Sequence, residues 1–216
     1  NILLGKFDYK KDSNFSIVSS KYSSKTIYLR NEVLLKFDQM YNAALKDGIK
    51  LVIISGTRSF NHQKYIWDRK WAKNIQKMDS ISAVKEIMKY SSMPSTSRHH
   101  WGTDIDLNNL ENSYFEIGEG KKIFDWLVEN AFKYGFHMTY DNQEETKRTG
   151  YKMEKWHWSY MPISEQFLIQ FNEYINCENI SSFKGSKFAC HPKLDVIKNF
   201  VNGINTDFKK IINVTE

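Results

Sequence analysis

The stretch SSMPSTSRHHWGTDIDL, residues 91–107, predicts a polar loop that leads into a short strand, DIDL. A second strand is predicted within KWHWSYM, residues 155–161, where aromatic residues alternate with His157 and Ser159. The alternation places Trp156 and the other aromatic residues on one face of this strand. We therefore expect His157, on the opposite face, to point toward a site.

Two more strands are predicted, at LVII, residues 51–54, and at FHMTY, residues 136–140. The first is a short β-branched run closed by Ser-Gly, which is typical of a buried strand that ends in a turn. Apolar residues at helical spacing predict helices at about 33–45, 61–77, 80–90, 119–134, 164–175 and 194–201. Helices and strands mix without regular βαβ alternation, which favours an α+β fold with a small, mainly antiparallel sheet flanked by helices.

The chain of 216 residues is expected to form a single domain with appendages. It has no internal repeat, no low-complexity segment and only three prolines, so nothing marks a linker between domains. Residues 1–30 show no clear period and predict an arm over the surface. About 31–161 form the predicted core, and about 162–216 form a C-terminal helical annex.

Charge and hydropathy narrow the classes of partner. The net charge of +6 suits an anionic partner such as cell-wall polymer, but the lysines are scattered among acids, which argues against nucleic-acid binding. No apolar run reaches the roughly 18 residues of a transmembrane helix, so no transmembrane segment is expected. The oligomeric state is left open.

Two features bear on the cellular compartment. Cys177 and Cys190 lie close enough in sequence for a small disulfide loop, which would indicate an oxidising compartment, and two buried free thiols are the alternative. The chain begins at Asn1, which suits either a mature protein whose secretion signal has been removed or a cloning boundary.

Polar residues that carry chemistry are concentrated in three segments, SGTRSFNHQ at 55–63, SRHHWGTDID at 97–106 and EKWHW at 154–158. A catalytic zinc site uses three nitrogen or oxygen ligands and leaves a fourth position open for water. The three segments supply one such set of ligands: His99, Asp106 and His157.

Spacing alone leaves alternatives to this set open. His100 competes with His99 on composition, and Asp104 shares a strand face with Asp106, so that one aspartate could instead cap a turn or form a salt bridge. A single histidine near a strand end is more often a hydrogen-bonded residue than a metal ligand.

Together the three segments resemble the zinc D-Ala-D-Ala carboxypeptidases and dipeptidases that include vancomycin-resistance enzymes, within the wider group of lysostaphin-type peptidases and Hedgehog domains. That family carries S-x-H-x(6)-D followed by E-x-W-H, matched here by Ser97, His99 and Asp106 and then by Glu154, Trp156 and His157. It also carries an S-G-x-R-S turn with a later glutamine, matched by Ser55, Gly56, Arg58, Ser59 and Gln63. The resemblance spans about residues 50–161.

The resemblance implies a role for each matched residue. One zinc ion, Zn²⁺, would be held by His99, Asp106 and His157, which selects His99 over His100. Glu154 would act as general base, and Arg58 would stabilise the negative charge that develops on the carbonyl oxygen of the substrate. The implied substrate contacts are Ser97, Gln63 and Trp156.

The function implied by this resemblance is a zinc-dependent D-alanyl-D-alanine carboxypeptidase that acts on peptidoglycan stem peptides, by attack of a metal-activated water on the terminal peptide bond. The expected location is extracytoplasmic, in the periplasm or cell envelope of a bacterium. The alternatives are an L,D-carboxypeptidase, a peptidoglycan endopeptidase and a non-catalytic zinc-containing cell-wall-binding module. Glu154 and Arg58 argue against the last of these, because a structural zinc site needs neither a base nor an oxyanion donor.

Departures from the family pattern lie beside the expected ligands. The family often has alanine where Asp104 stands and proline where Lys155 stands, and the bulky RHHW crowds the first ligand. These departures leave the ligands intact and are expected to reshape the pocket.

Glu154 and His157 stand three residues apart, which would put them on opposite faces of a regular strand. We therefore expect a bend near Lys155, or a strand that begins only after Glu154.

Overall fold

The computed structural model describes residues 1–207. In chain order, the strands and helices are β1 (Phe15–Ile17), β2 (Tyr28–Arg30), α1 (Asn31–Lys46), β3 (Ile53–Ser55), α2 (Phe60–Asn74), α3 (Ser80–Ile87), β4 (Asp104–Leu107), α4 (Gly118–Asn130), β5 (Phe136–Met138), α5 (Gln143–Thr146), β6 (His157–Tyr160) and α6 (Met161–Tyr174). Short 3-10 turns lie at Arg98–Trp101, Asn112–Glu116, Ala131–Tyr134, Cys177–Asn179 and Ser186–Phe188, and a π-helical turn lies at Ile197–Val201.

A four-stranded sheet in the order β3-β4-β6-β5 forms the centre of the fold. All three of its strand pairs are antiparallel, and helices flank the sheet, so the predicted α+β class is confirmed. In the central pair, Asp106 lies opposite His157 and Asp104 lies opposite Ser159. Since paired residues share a face of a sheet, this register brings two of the polar segments together on one face.

The other face of the sheet carries the main apolar core. Trp158 and Tyr160 pack there with Ile105, as the alternation in the sequence predicts. Trp156 precedes strand β6, and it both joins this core and lines the cavity described below. Helix α1 covers them with residues at helical spacing, namely Val33, Phe37, Met40, Tyr41 and Ala44. Burial of such side chains contributes roughly 1.5–3 kcal/mol each, and this is what holds α1 to the sheet.

Residues 1–30 are more integrated than a surface arm. Strands β1 and β2 pair antiparallel, and the segment adds Val18, Tyr22, Ile27 and Leu29 to the main core. The prediction missed this because three-residue strands are too short to show a period of two.

Much of the C-terminal annex after helix α6 packs on helices α2 and α3. Trp67 and Met88 form a second core cluster with Phe183, Leu194 and other residues of the annex. The helix predicted at 194–201 is only the π-helical turn at Ile197–Val201. The remainder of the predicted annex, 208–216, lies outside the described residues.

Cys177 and Cys190 form a disulfide within the annex. We expect the double substitution Cys177→Ser and Cys190→Ser to lower the free energy of unfolding by about 3 kcal/mol. The disulfide restricts the conformations of the unfolded chain, and without it the unfolded state gains that much conformational entropy. Urea denaturation of both proteins measures the difference. Titration of the unreduced, denatured wild type should find no reactive thiol, and two reactive thiols would contradict the bridge.

None of the helices within residues 1–207 combines the length and apolar character needed to cross a membrane.

Candidate metal centre

Three side chains from two of the polar segments converge beneath a cavity. Nε2 of His99 lies 3.3 Å from Oδ1 of Asp106, and Nδ1 of His157 lies 3.0 Å from the same oxygen. One potential ligand atom from each residue lies within 4.8 Å of the others, and all three residues are buried. Among the described residues, this is the only cluster of three or more His, Cys, Asp or Glu side chains with that geometry.

The local backbone explains why these residues meet. Asp106 and His157 are register partners on the central strands, and His99 reaches them from the 3-10 turn at Arg98–Trp101. That turn ends at Gly102 in the left-handed conformation, with φ of +74°. A Cβ at Gly102 would come within 2.3 Å of the ring of Phe15, so the turn needs glycine for both conformation and space.

In each histidine of the cluster, one ring nitrogen approaches Asp106 and is called the inner nitrogen here. The other, the outer nitrogen, contacts a hydrogen-bond acceptor. Nδ1 of His99 lies 2.8 Å from the carbonyl oxygen of Gly56, and Nε2 of His157 lies 3.0 Å from Oδ1 of Asp104. Because a carbonyl and a carboxylate only accept hydrogen bonds, these nitrogens carry protons and the inner nitrogens are free to bind a metal when the rings are neutral. Such outer contacts are typical of metal-ligating histidines.

His100 lies outside the cluster. Its Nδ1 donates to the carbonyl oxygen of Arg58 at 2.7 Å, and its Nε2 accepts from the backbone N–H of Ser95 at 3.2 Å. Burial lowers the pKa of His100 to about 4, so the ring is neutral at physiological pH. Both of its nitrogens are therefore occupied by backbone groups.

Glu154 lies next to the cluster although it precedes strand β6. The strand begins only at His157, and a turn closed by a 3.1 Å hydrogen bond from His157 N–H to the Glu154 carbonyl turns both side chains to one side. Oε2 of Glu154 lies 3.8 Å from Nδ1 of His157, and the residue is buried, with 7% of its surface exposed. Burial, opposed by the neighbouring His157, raises the pKa of Glu154 to about 7.

Arg58 connects the first polar segment to the cluster. Its Nη2 lies 2.6 Å from Oδ2 of Asp106 and donates to Oγ of Ser55 at 2.7 Å. The guanidinium is held in place by these contacts and still lines the cavity. Burial raises the pKa of Asp106, but the charges of His99 and Arg58 and the histidine hydrogen bonds hold it well below the usual range, so the carboxylate is ionised.

The cavity above the cluster has a volume of about 990 Å³. Ser97 and Trp156 line it together with the three cluster residues, Arg58 and Glu154. Gln63 does not line it, which differs from the substrate contact that the family resemblance implies. Gln63 is only 1% exposed, its Nε2 donates to the carbonyl oxygen of Ser92 at 2.9 Å, and its Oε1 accepts from Nη1 of Arg58 at 3.4 Å. Through this hydrogen bond, Gln63 holds the guanidinium of Arg58.

Sequence reasoning missed a cavity lysine. Lys70 lies on helix α2, two helical turns after Gln63, and lines the cavity wall. Its ammonium donates to the hydroxyl of Ser91, and within residues 1–207 it has no salt bridge to a carboxylate. Helical spacing from Gln63 was the one signal that could have indicated it.

Comparison with known proteins finds relatives in one enzyme family. A family model described as D-alanyl-D-alanine carboxypeptidase, VanY, matches residues 26–163. The protein YodJ of Bacillus subtilis (strain 168) is 33% identical over 153 residues, which cover 68% of this chain and 51% of that protein. A D-alanyl-D-alanine carboxypeptidase of Enterococcus faecalis is 30% identical over 147 residues, which cover 64% of this chain and 52% of that protein. The chain thus spans about half the length of the curated relatives it matches.

Solved structures show the same fold. VanYB in complex with D-alanine-D-alanine has a TM-score of 0.58 at 23% identity, covering 79% of this chain and 94% of that one. The LdcB LD-carboxypeptidase has a TM-score of 0.57 at 26% identity, covering 78% and 76%. A VanY D,D-pentapeptidase variant in complex with Zn(II) has a TM-score of 0.54 at 23% identity, covering 82% and 100%.

Proposed function

Since the chain belongs to the D-alanyl-D-alanine carboxypeptidase family of the VanY type, we propose that it is a zinc-dependent D-alanyl-D-alanine carboxypeptidase that acts on peptidoglycan stem peptides. One observation carries this proposal: the convergence of His99, Asp106 and His157 beside Glu154 at the base of the cavity. A ligand set next to a buried carboxylate that is not part of it is what hydrolysis by a metal site requires.

The donor set fits zinc. Two imidazole nitrogens and one carboxylate oxygen are ligands that zinc accepts in catalytic sites, and three protein ligands leave a fourth position open. The hydrogen bonds from the outer nitrogens of His99 and His157 to Gly56 and Asp104 supply the orientation that such ligands need. The solved VanY variant that contains Zn(II) supports the choice of metal.

The chemistry that zinc supplies when bound is activation of a water for attack on the terminal peptide bond. Glu154 accepts the proton of the attacking water and returns it to the leaving amine, a task for which a raised pKa is suitable. Arg58 donates hydrogen bonds to the carbonyl oxygen as negative charge develops there. Gln63 and Ser55 hold the Arg58 guanidinium in position for this role.

The cavity suits the carboxylate end of a peptide. Arg58 and Lys70 present positive charge along one wall, and Lys70 lacks a carboxylate partner in the described part of the chain. Ser97 and Trp156 are the proposed contacts to the peptide itself. The solved VanYB complex with D-alanine-D-alanine supports the substrate class.

A stem-peptide substrate also suggests location and organisation. We propose that the protein acts outside the cytoplasm, in the periplasm or cell envelope, because peptidoglycan lies there. We propose as well that residues 1–216 form one peptidase domain, with the N-terminal segment and the annex attached to its core.

An L,D-carboxypeptidase is the second candidate. The 26% identity and shared fold with the LdcB LD-carboxypeptidase favour it, since both activities release a C-terminal D-amino acid and differ in the residue that precedes the cut. A stem peptide that ends in a single D-alanine distinguishes the candidates.

Mass spectrometry of defined muropeptides tests the proposal. The zinc-loaded protein is incubated with a pentapeptide stem, a tetrapeptide stem and a cross-linked dimer. We expect loss of one alanine from the pentapeptide and none from the tetrapeptide. Release from the tetrapeptide alone would favour the L,D-activity, and cleavage of the dimer alone would favour an endopeptidase. Zinc binding without cleavage of any substrate would favour a cell-wall-binding module.

A further inference from the structure

We propose that Asp104, held by Arg98, is a positioning residue that fixes the ring orientation and tautomer of His157, so that Nδ1 of His157 faces the metal. The inference rests on the proposed metal site and deepens it. It also gives a role to Asp104, the residue that departs from the alanine often found at this position in the family.

The first step is the contact between Asp104 and His157. Oδ1 of Asp104 lies 3.0 Å from Nε2 of His157, on the side of the ring away from the ligand cluster. A carboxylate accepts but does not donate, so Nε2 carries the proton. Nδ1 lies 3.0 Å from Oδ1 of Asp106 and therefore faces the cluster, so it is the nitrogen whose proton a bound metal would displace while Nε2 keeps its own.

The second step is that Asp104 itself is held rigidly. It is fully buried, Nε of Arg98 donates to its Oδ1 at 3.0 Å, and the hydroxyl of Thr103 donates to its Oδ2 at 2.5 Å. Arg98 is anchored in turn, because its Nη2 donates to Oγ of Ser159 at 2.8 Å. Ser159 is the register partner of Asp104 on strand β6, so the network links the two central strands behind the metal cluster.

The third step is to separate positioning from charge neutralisation. Asp104 and Arg98 form a buried ion pair, and such pairs are on average poor stabilisers because desolvation offsets their attraction. One explanation is that Asp104 only neutralises Arg98. The contact to His157 favours the other explanation, since the same oxygen, Oδ1, accepts from both partners. The two explanations predict different behaviour when both charges are removed.

The experiment measures zinc affinity by competition with a chromophoric chelator. We expect Asp104→Ala to weaken zinc binding by about 10–100-fold, as is typical for loss of a residue that orients a ligand. Asp104→Asn should lose less, because its amide oxygen still accepts from Nε2. The double variant Arg98→Met with Asp104→Ala removes both charges and should bind zinc as weakly as Asp104→Ala. Return of the double variant to wild-type affinity would overturn the proposal in favour of simple neutralisation.

Two further measurements keep the result interpretable. Asp141→Ala is a matched control, because Asp141 forms a buried ion pair with Nε of Arg148 at 2.9 Å that touches none of the proposed ligands. It should lose stability and keep wild-type zinc affinity. The absorption spectrum of the cobalt-substituted protein should change in Asp104→Asn, which keeps the side-chain shape, and not in Asp141→Ala. Unchanged affinity and spectrum in both Asp104 variants would refute the inference, whereas a wild type that binds no zinc would refute the proposed function.

Discussion

Replacing Glu154 with glutamine is expected to lower kcat on a pentapeptide stem by about 10²–10⁴-fold while one zinc ion stays bound, because a general base is lost and no ligand is. The structure supports this separation, since Glu154 lies beside the cluster, 3.8 Å from Nδ1 of His157, and is not a member of it. Release of D-alanine gives kcat, and inductively coupled plasma mass spectrometry gives zinc per chain.

The matched control for Glu154 is Glu111→Gln. Glu111 is an exposed carboxylate that lines the same cavity without belonging to the cluster, so its loss should leave kcat within a few-fold of the wild type. Equal losses in the two variants would indicate a general effect of cavity charge. Loss of zinc from Glu154→Gln would show that Glu154 is a ligand, and full activity in that variant would exclude it as the base.

Replacing His99 or His157 with alanine is expected to remove zinc and activity together. Each supplies one of two ring nitrogens that approach Oδ1 of Asp106, and two remaining ligands are too few for a stable catalytic zinc site. Activity should fall at least as far as in Glu154→Gln and should match that of wild-type protein stripped by a chelator. Readdition of zinc should restore the stripped wild type and not the variants.

His100 provides the control that the sequence itself offers, because it adjoins His99. His100→Ala should keep one zinc per chain, since both ring nitrogens of His100 bind backbone groups of Arg58 and Ser95. It should lower the free energy of unfolding by about 1–3 kcal/mol through the loss of those buried hydrogen bonds. Zinc retained in His99→Ala and lost in His100→Ala would reverse the assignment of the two histidines.

Much of the fold could be predicted because the spacing of apolar residues within one helix or strand reflects which of its faces is buried. The strand DIDL has the bounds that the sequence predicts, Asp104–Leu107, and Gly135 ends the helical region after α4 with φ of +83°. Helix α1 buries five of its apolar residues as their spacing requires, although Leu45, also on that pattern, is half exposed. Patterns of two or three residues carry no period, which is why the β1–β2 hairpin was missed.

For the site, the sequence by itself predicted the family, which the comparisons confirm, and it proposed the ligand types and the choice of His99 over His100, because ordered motifs record which residues a given chemistry needs. Only the tertiary structure showed which partner each of the remaining polar residues contacts. Asp104 and Asp106 share a strand face, yet one contacts the outer nitrogen of His157 and the other the inner nitrogen. Gln63 contacts Arg58 and the backbone of Ser92 and does not line the cavity. The physical reason is that these roles depend on hydrogen bonds between residues far apart in sequence, and strand register and packing place those partners, which no local pattern encodes.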